Sequence, residues 1–309
     1  MESPNARTTR PFTQTVSSAV IARALFLALC LSPALVWAGT EDFFLKIPSY
    51  LALQVGGSNQ QSRNASLQAG LNIKKNWMLG LGVDGGNSPS MEEDKTLRSQ
   101  GAQISLSSDP LETFSAQGTV ETWGIEEQVQ ATGGKLAASI SLSKFLFSVQ
   151  VGTQQIVFKE LPKLLWSDGT SVVTDNWLGV AADYFATARL SLRASMTLHN
   201  YDKEMTDYAQ GVRVRFVAPS VLTTASSLNK NEILLGAAYQ IKRWSMGFTV
   251  GRAQAALDEI KTRSFGVSGG YKLNRRWAFN AALTAFKPED AEEDDGANIT
   301  SILGAAYSW

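Results

Sequence analysis

Cysteine and histidine are almost missing from this chain: its 309 residues hold one of each. The cysteine, Cys30, lies in a leading segment, residues 1–38, that differs in kind from the rest of the chain. The remaining 271 residues therefore offer neither a disulfide nor a thiolate-bound metal. His199 alone cannot furnish an imidazole-rich metal site. Charge of one sign is lacking as well, with 28 Lys+Arg against 28 Asp+Glu. Setting aside Arg7, Arg10, Arg23 and Glu2 leaves 25 basic and 27 acidic side chains, a net of about −2. Bulk charge thus gives no basis for a nucleic-acid partner. Beyond Gly39 no run of 18 apolar residues exists, so no transmembrane helix is expected there. Gly-rich phosphate loops and paired metal motifs are absent too, and no cofactor or metal is expected.

The leading segment has its own grammar. An arginine-bearing polar stretch precedes Ala24-Leu25-Phe26-Leu27-Ala28-Leu29-Cys30-Leu31, and Val36-Trp37-Ala38 comes before Gly39. A basic flank, a short apolar core and a small residue at the cut form the secretory signal pattern, and the core is too short to span a bilayer. Leu29 before Cys30 argues against lipid attachment at that cysteine. Residues 1–38 are read as a cleaved signal peptide, 39–47 as a short periplasmic lead, and 48–309 as the folded body.

That body is built on alternation. Leu67, Ala69, Leu71 and Ile73 interleave with Gln68, Gly70 and Asn72; Phe145, Phe147, Val149 and Val151 interleave with Leu146, Ser148, Gln150 and Gly152. Leu190, Leu192, Ala194, Met196 and Leu198 do the same against Ser191, Arg193, Ser195, Thr197 and His199. Period 2 places each apolar set on one face of a strand, and segments of about 9–11 residues suit a tilted strand crossing a bilayer.

A soluble sandwich also alternates, so the connections have to discriminate. Around Lys74-Lys75, Lys242-Arg243 and Arg275-Arg276, a strand ends in a basic turn and the next strand opens near a tryptophan: Trp77, Trp244 and Trp277. Other short turns are expected near Ser108–Thr113, Ser143-Lys144, Phe185–Thr187 and Ala218-Pro219. Beside them stand Phe114, Phe145, Tyr184 and Phe216, and Trp309 ends the chain. Amphipathic rings at one level are what a membrane interface selects. Longer polar connections, Gly85–Lys95, Ile125–Gly134, Lys159–Val173 and Lys287–Asn298, lie between the short ones. The last residues alternate again, Leu303, Ala305, Tyr307 and Trp309 against Ile302, Gly304, Ala306 and Ser308.

In these features the chain resembles bacterial outer-membrane β-barrel proteins of the porin-like kind, over residues 48–309. The resemblance implies an all-β, antiparallel up-and-down barrel with short periplasmic turns and longer extracellular loops. It also implies outer-membrane lipid and lipopolysaccharide as surroundings, and assembly machinery that reads the C-terminal strand; the family usually ends on Phe where this chain has Trp309. Short turns spaced by about 33 residues give 16 strands, with Tyr208–Val217 as one of them, because Tyr208, Val212, Val214 and Phe216 alternate. The alternative is 14, if residues 208–228 form one long outer loop.

A barrel of either size has a lumen wider than its own side chains fill. Phase assigns Gln68, Asn72, Gln117, Thr119, Glu121, Ser139, Ser141, Ser148, Gln150, Thr197 and Thr249 to the inner wall. Small neutral groups at Ser245, Gly247, Ser268, Gly270 and Ala282 join them. Arg193, Arg213 and Arg215 share the polar face of neighbouring strands; with Asp183 matched to Arg189, the trio has no evident carboxylate and forms a basic wall. Leu161, Leu164, Leu165 and Trp166 are too apolar for an open loop and pack on the rim or fold inward as a constriction. The acidic run Glu289–Asp295 reads as a solvated outer loop. Ser195 lies four residues, about 13 Å, from His199 along one strand, too far for a Ser–His hydrogen bond. The expectation is a passive channel for small hydrophilic solutes, biased toward anions, and not an enzyme. A structural, adhesive or anchoring barrel is the alternative, an outer-membrane hydrolase a more distant one.

Overall fold

The computed structural model describes residues 49–59, 61–74, 76–89, 96–108, 113–126, 129–158, 172–205, 228–256, 259–289 and 297–309. The signal segment, Leu161–Trp166, Arg213, Arg215 and Phe216 lie outside the described residues. Fourteen strands succeed one another: β1 (Tyr50–Ser58), β2 (Arg63–Lys74), β3 (Trp77–Pro89), β4 (Thr96–Ser108), β5 (Phe114–Ile125), β6 (Val129–Leu142) and β7 (Phe145–Phe158). Then come β8 (Val172–Phe185), β9 (Leu190–Tyr201), β10 (Asn229–Ile241), β11 (Trp244–Ala255), β12 (Lys261–Lys272), β13 (Trp277–Pro288) and β14 (Asn298–Ser308). Each pairs antiparallel with its sequence neighbours, and β1 pairs with β14, closing a barrel.

Closure corrects the count of 16. β9 bonds directly to β10, from Leu190↔Tyr239 to Leu198↔Asn231, so residues 202–228 form a connection and no further strand fits between them in the ring. The alternation at 208–217 resembles a strand because period 2 is local, whereas membership of the ladder depends on partners far away in sequence. One connection also shrinks: the expected loop Ile125–Gly134 is a gap of residues 126–128, because β5 and β6 continue almost to its tip. Even so, the two ends differ. Turns at one end have two to five residues, and connections at the other have three to 27.

The pleat sorts side chains as the alternation predicts, with the apolar face outside and the polar face inside. On β1, Leu51, Leu53 and Val55 are about half exposed, and Leu283, Leu303 and Phe265 likewise face outward. An exterior of this kind is stable only against hydrocarbon. At the short-turn end the outward rings form a belt. Trp244 meets Tyr271 at 4.5 Å, Trp277 meets Tyr307 at 5.0 Å, Phe145 meets Tyr184 at 4.9 Å, and Tyr307 stacks near Trp309 at 6.0 Å. Trp77 and Phe114 are exposed at the same level. The turns are shaped by side chains: Asn274 Oδ1 accepts from the backbone N–H of Arg276 and Trp277 at 2.8 and 2.9 Å. Thr187 Oγ1 does the same for Arg189 and Leu190.

Inside, glycine makes room for larger partners on the paired strand. Gly152 lies opposite Trp177, and a Cβ there would overlap the indole; Gly70 is covered in the same way by the ring of Tyr50. The folded barrel should migrate faster than its boiled form on gels and give a strand-dominated circular dichroism spectrum. Gly152→Leu should lower the urea midpoint in vesicles by an amount worth about 1–3 kcal/mol, through displacement of Trp177. Gly269→Leu, where the nearest atom to a Cβ is 4.0 Å away, should change it far less.

Candidate functional site

The inner wall can be read row by row because the register is continuous. Gln68, Gly82, Gln103, Glu121, Gly133, Gln154 and Asp175 stand side by side across β2 to β8. A second row runs Gln117, Ala137, Gln150, Gly179, Thr197, Glu232 and Ala253 across β5 to β11. All the hydroxyl, amide and small residues assigned to the lumen by phase lie on this inner face. The middle of the wall is thus polar and wettable.

Between β7 and β10 the wall encloses a recess of about 410 Å³, lined by Ser148, Gln150, Arg193, Ser195, Thr197 and Glu232 among others. Arg193 marks its lower end. It lies directly opposite Asp183, with Nη1 3.7 Å from Asp183 Oδ2. The expected pairing of Asp183 with Arg189 does not form, because Arg189 falls in the turn between β8 and β9, outside the ladder. Arg193 therefore has a carboxylate neighbour, contrary to the expectation for the trio; Arg213 and Arg215 lie outside the described residues. Glu232 marks the upper end, opposite Thr197, four residues or about 13 Å along β9 from Arg193. Counted over the described inner face, Asp84, Glu121, Asp175, Asp183 and Glu232 face Lys135, Arg193 and, at the short-turn mouth, Lys272. Of these, Glu121 and Lys135 form an ion pair.

Above the recess sits a buried polar network that sequence reading missed. Trp123 Nε1 donates to Gln154 Oε1 at 3.3 Å, Gln154 Nε2 donates to Asp175 Oδ2 at 2.9 Å, and His199 Nδ1 lies 2.8 Å from the same oxygen. Asp175 is fully buried, and His199 is flanked by Trp177 and Tyr201 at ring distances of 6.1 and 6.0 Å. Tyr201 in turn donates to the carbonyl of Asn229 at 2.8 Å. The residues come from β5, β7, β8 and β9, which no single-strand pattern connects. The available signal was an aspartate in the otherwise uncharged start of β8 and the only histidine at the same end of β9. His199 hydrogen bonds to Asp175, and no serine hydroxyl contacts its ring among the described residues. The pair orients and braces the wall.

Above that network the wall turns apolar. Ile125, Val129, Ile156, Phe158 and Val173 face inward at the loop end of β5 to β8 and are buried together with Met205, Leu228 and Ala256 from neighbouring connections. They form an apolar layer at the loop end on that side of the barrel. The expected constriction, Leu161 to Trp166, lies outside the described residues, so this layer is a separate finding.

His199→Ala would leave Asp175 buried with one amide donor in place of two partners. The expected loss is about 3 kcal/mol in unfolding free energy. Asp175→Asn in the same background should recover part of it, because the stranded charge is then gone. Equal stability of the single and double variants, measured by urea unfolding in vesicles, would contradict this account.

No family model matches the sequence, and no curated protein matches it. Solved structures do share its shape. The barrel is similar to the CymD monoaromatic hydrocarbon channel, with a TM-score of 0.56 at 11% identity over 84% of this chain and 88% of that one. It is similar to the TodX monoaromatic hydrocarbon channel deltaS2 mutant at 0.55, with 10% identity over 84% and 90%. A Pseudomonas aeruginosa FadL homologue aligns at 0.53, with 10% identity over 84% and 90%. Identity this low carries the fold alone: the chain has the closed-barrel architecture found in bacterial outer-membrane channels.

Proposed function

We propose that the protein is a passive outer-membrane channel for small hydrophilic solutes. In this reading residues 1–38 are removed on export, the short turns face the periplasm, and the C-terminal strand guides assembly. The observation that carries it is the polar inner wall, Gln68–Gln103–Glu121–Gln154 and its neighbouring row, in a ring of 14 strands. Such a ring is wider than the eight-stranded barrels that side chains fill. Diffusion needs no cofactor and no reacting group, and the braced His199–Asp175 pair gives no nucleophile. Purified protein in a planar bilayer should show steady steps whose current rises in proportion to voltage. A silent bilayer from protein that migrates as folded would overturn the proposal.

The anion bias expected from the arginine trio finds no support in the described wall, where four carboxylates, leaving aside the buried Asp175, face three cations and Arg193 is adjacent to Asp183. Low-dielectric walls focus the field of such groups, so local charge sets selectivity more than the net charge does. The expected reversal potential in a salt gradient therefore has the sign of cation preference. It should move toward zero in Glu232→Gln and fade as ionic strength rises. Anion preference in the native barrel would restore the arginine wall as the selectivity element.

A second reading, a channel for small apolar molecules, is favoured by the apolar layer at the outer mouth and by the likeness to barrels named for monoaromatic hydrocarbons. Liposome uptake separates the two. Small sugars should enter faster than through protein-free membranes, while faster entry of benzene-sized solutes alone would select the second reading.

A further inference from the structure

The outer face holds an arrangement that conduction does not use. At the loop end, Arg252, Arg263 and Lys287 stand side by side on β11, β12 and β13, as direct register partners Arg252↔Arg263 and Arg263↔Lys287. Three cations in one row span only about 10 Å at strand spacing, and like charges directly opposite one another destabilise a ladder. Lys261 adds a fourth on the same face, opposite Gln254. The described acidic groups beside them are Glu289, which accepts from Arg252 Nη2 at 2.7 Å and Arg263 Nε at 2.9 Å, and Glu259, which pairs with Lys230 and lies near Lys261. Among the described residues two carboxylates, one of them engaged by Lys230, stand against these four cations; Asp290, Glu292, Glu293, Asp294 and Asp295 lie outside the described residues. Both arginines remain well exposed, at 57% and 76% of their side-chain surface.

Position says what further anion these cations would meet. The next row toward the middle of the barrel is Val250, Phe265, Ala285 and Ile299, all apolar and facing outward. From Trp244 in the aromatic belt to Arg252 is eight residues, about 26 Å of strand and roughly 20 Å of height at the usual tilt. Long side chains at that level extend from the hydrocarbon edge into the headgroups. The other flank of the barrel is built differently: Thr122, Thr132, Gln155 and Thr174 form a neutral row across β5 to β8.

We propose that Arg252, Arg263, Lys287 and Lys261 form a binding site for the phosphate-bearing headgroup of an anionic lipid in the outer leaflet. The assignment rests on the outer-membrane reading above and names a partner for one flank of the barrel. The guanidinium forks of the two arginines suit phosphate oxygens, and the two ammonium groups add point charge. Glu289 occupies part of the same donor set. Hydrogen bonds from Arg252 and Arg263 hold its carboxyl below the usual glutamate range, so at neutral pH it is a charged competitor for them.

The test is lipid retention by purified full-length barrel in mixed micelles of phosphatidic acid and phosphatidylcholine, read by native mass spectrometry. Native protein should retain phosphatidic acid selectively. The triple variant Arg252→Gln, Arg263→Gln, Lys287→Gln should weaken that retention on the order of 100-fold, about fivefold per cation. Glu289→Gln should strengthen it, a gain that a merely structural role for Glu289 does not produce. Equal retention by native and triple-variant protein, each checked for heat-modifiable migration, would overturn the site. Displacement of the lipid by millimolar inorganic phosphate would overturn the lipid assignment in favour of a soluble anion. Loss of conductance with selective retention intact would remove the channel reading and leave this one standing.

Discussion

Every backbone amide in the span must find its partner within the protein, because hydrocarbon supplies none. The closed ladder of 14 strands is the answer to that constraint, and its seam is where closure is decided. β1 meets β14 over nine register pairs, from Tyr50↔Ser308 to Ser58↔Thr300. Past one end of these, the N–H of Trp309 donates to the carbonyl of Ser49 at 3.0 Å. At the other end the Asn59 side chain donates to the carbonyl of Ala297 and accepts from the N–H of Ile299. These contacts join residues 238 to 260 positions apart, so the seam forms only when both β1 and β14 are present. A ring closed in this way also fixes what else can be a strand: once β9 is bonded to β10, any further segment is left outside.

That dependence explains which parts of the fold were legible in the sequence. Alternation is local, so the faces of β2, β7 and β9 could be read directly, and Gln68, Thr119, Ser148 and Thr197 all stand on the wall where phase puts them. The belt was legible for the same reason, since Trp77, Trp244 and Trp277 each succeed their own turn. Strand number was not, because Tyr208–Val217 alternates as well as true strands do and only closure excludes it. Register was legible only as far as the turn was. Placing the β8–β9 turn a residue or two early matched Asp183 with Arg189 and hid its true neighbour, Arg193. The Asp175–His199 contact needed still more: it is a diagonal contact across that same register, drawn together by Gln154 from a third strand.

The apolar layer at the loop end was hidden by a different effect. Near the loop end of β7 and β8 both faces are apolar, with Val157 and Val172 outward and Ile156, Phe158 and Val173 inward. Two apolar faces cancel the period-2 signal, and the segment from residue 159 to 173 then reads as an unusually greasy loop. Leu161, Leu164, Leu165 and Trp166, on which the expectation of a greasy loop rested, lie outside the described residues, so the inward apolar groups of the strand ends with Met205, Leu228 and Ala256 are a different set.

A net charge near zero conceals the last feature, a sorting of charge by face. Neighbouring residues on a strand point to opposite sides, so a strand can present a carboxylate to water inside and an apolar group to lipid one residue away, as Glu232 and Ile233 do on β10. On β11, Arg252 points outward between Gly251 and Ala253, which point in. Inside, among the described residues, Asp84, Glu121, Asp183 and Glu232 outnumber Lys135, Arg193 and Lys272, while Asp175 is buried against Gln154 and His199. Outside, at the loop end of β11 to β13, cations outnumber carboxylates among the described residues, and in the proposed lipid site a headgroup compensates them. Among the described residues, the pleat that separates polar from apolar thus also tends to separate the two signs of charge, because each strand offers its alternate positions to opposite faces.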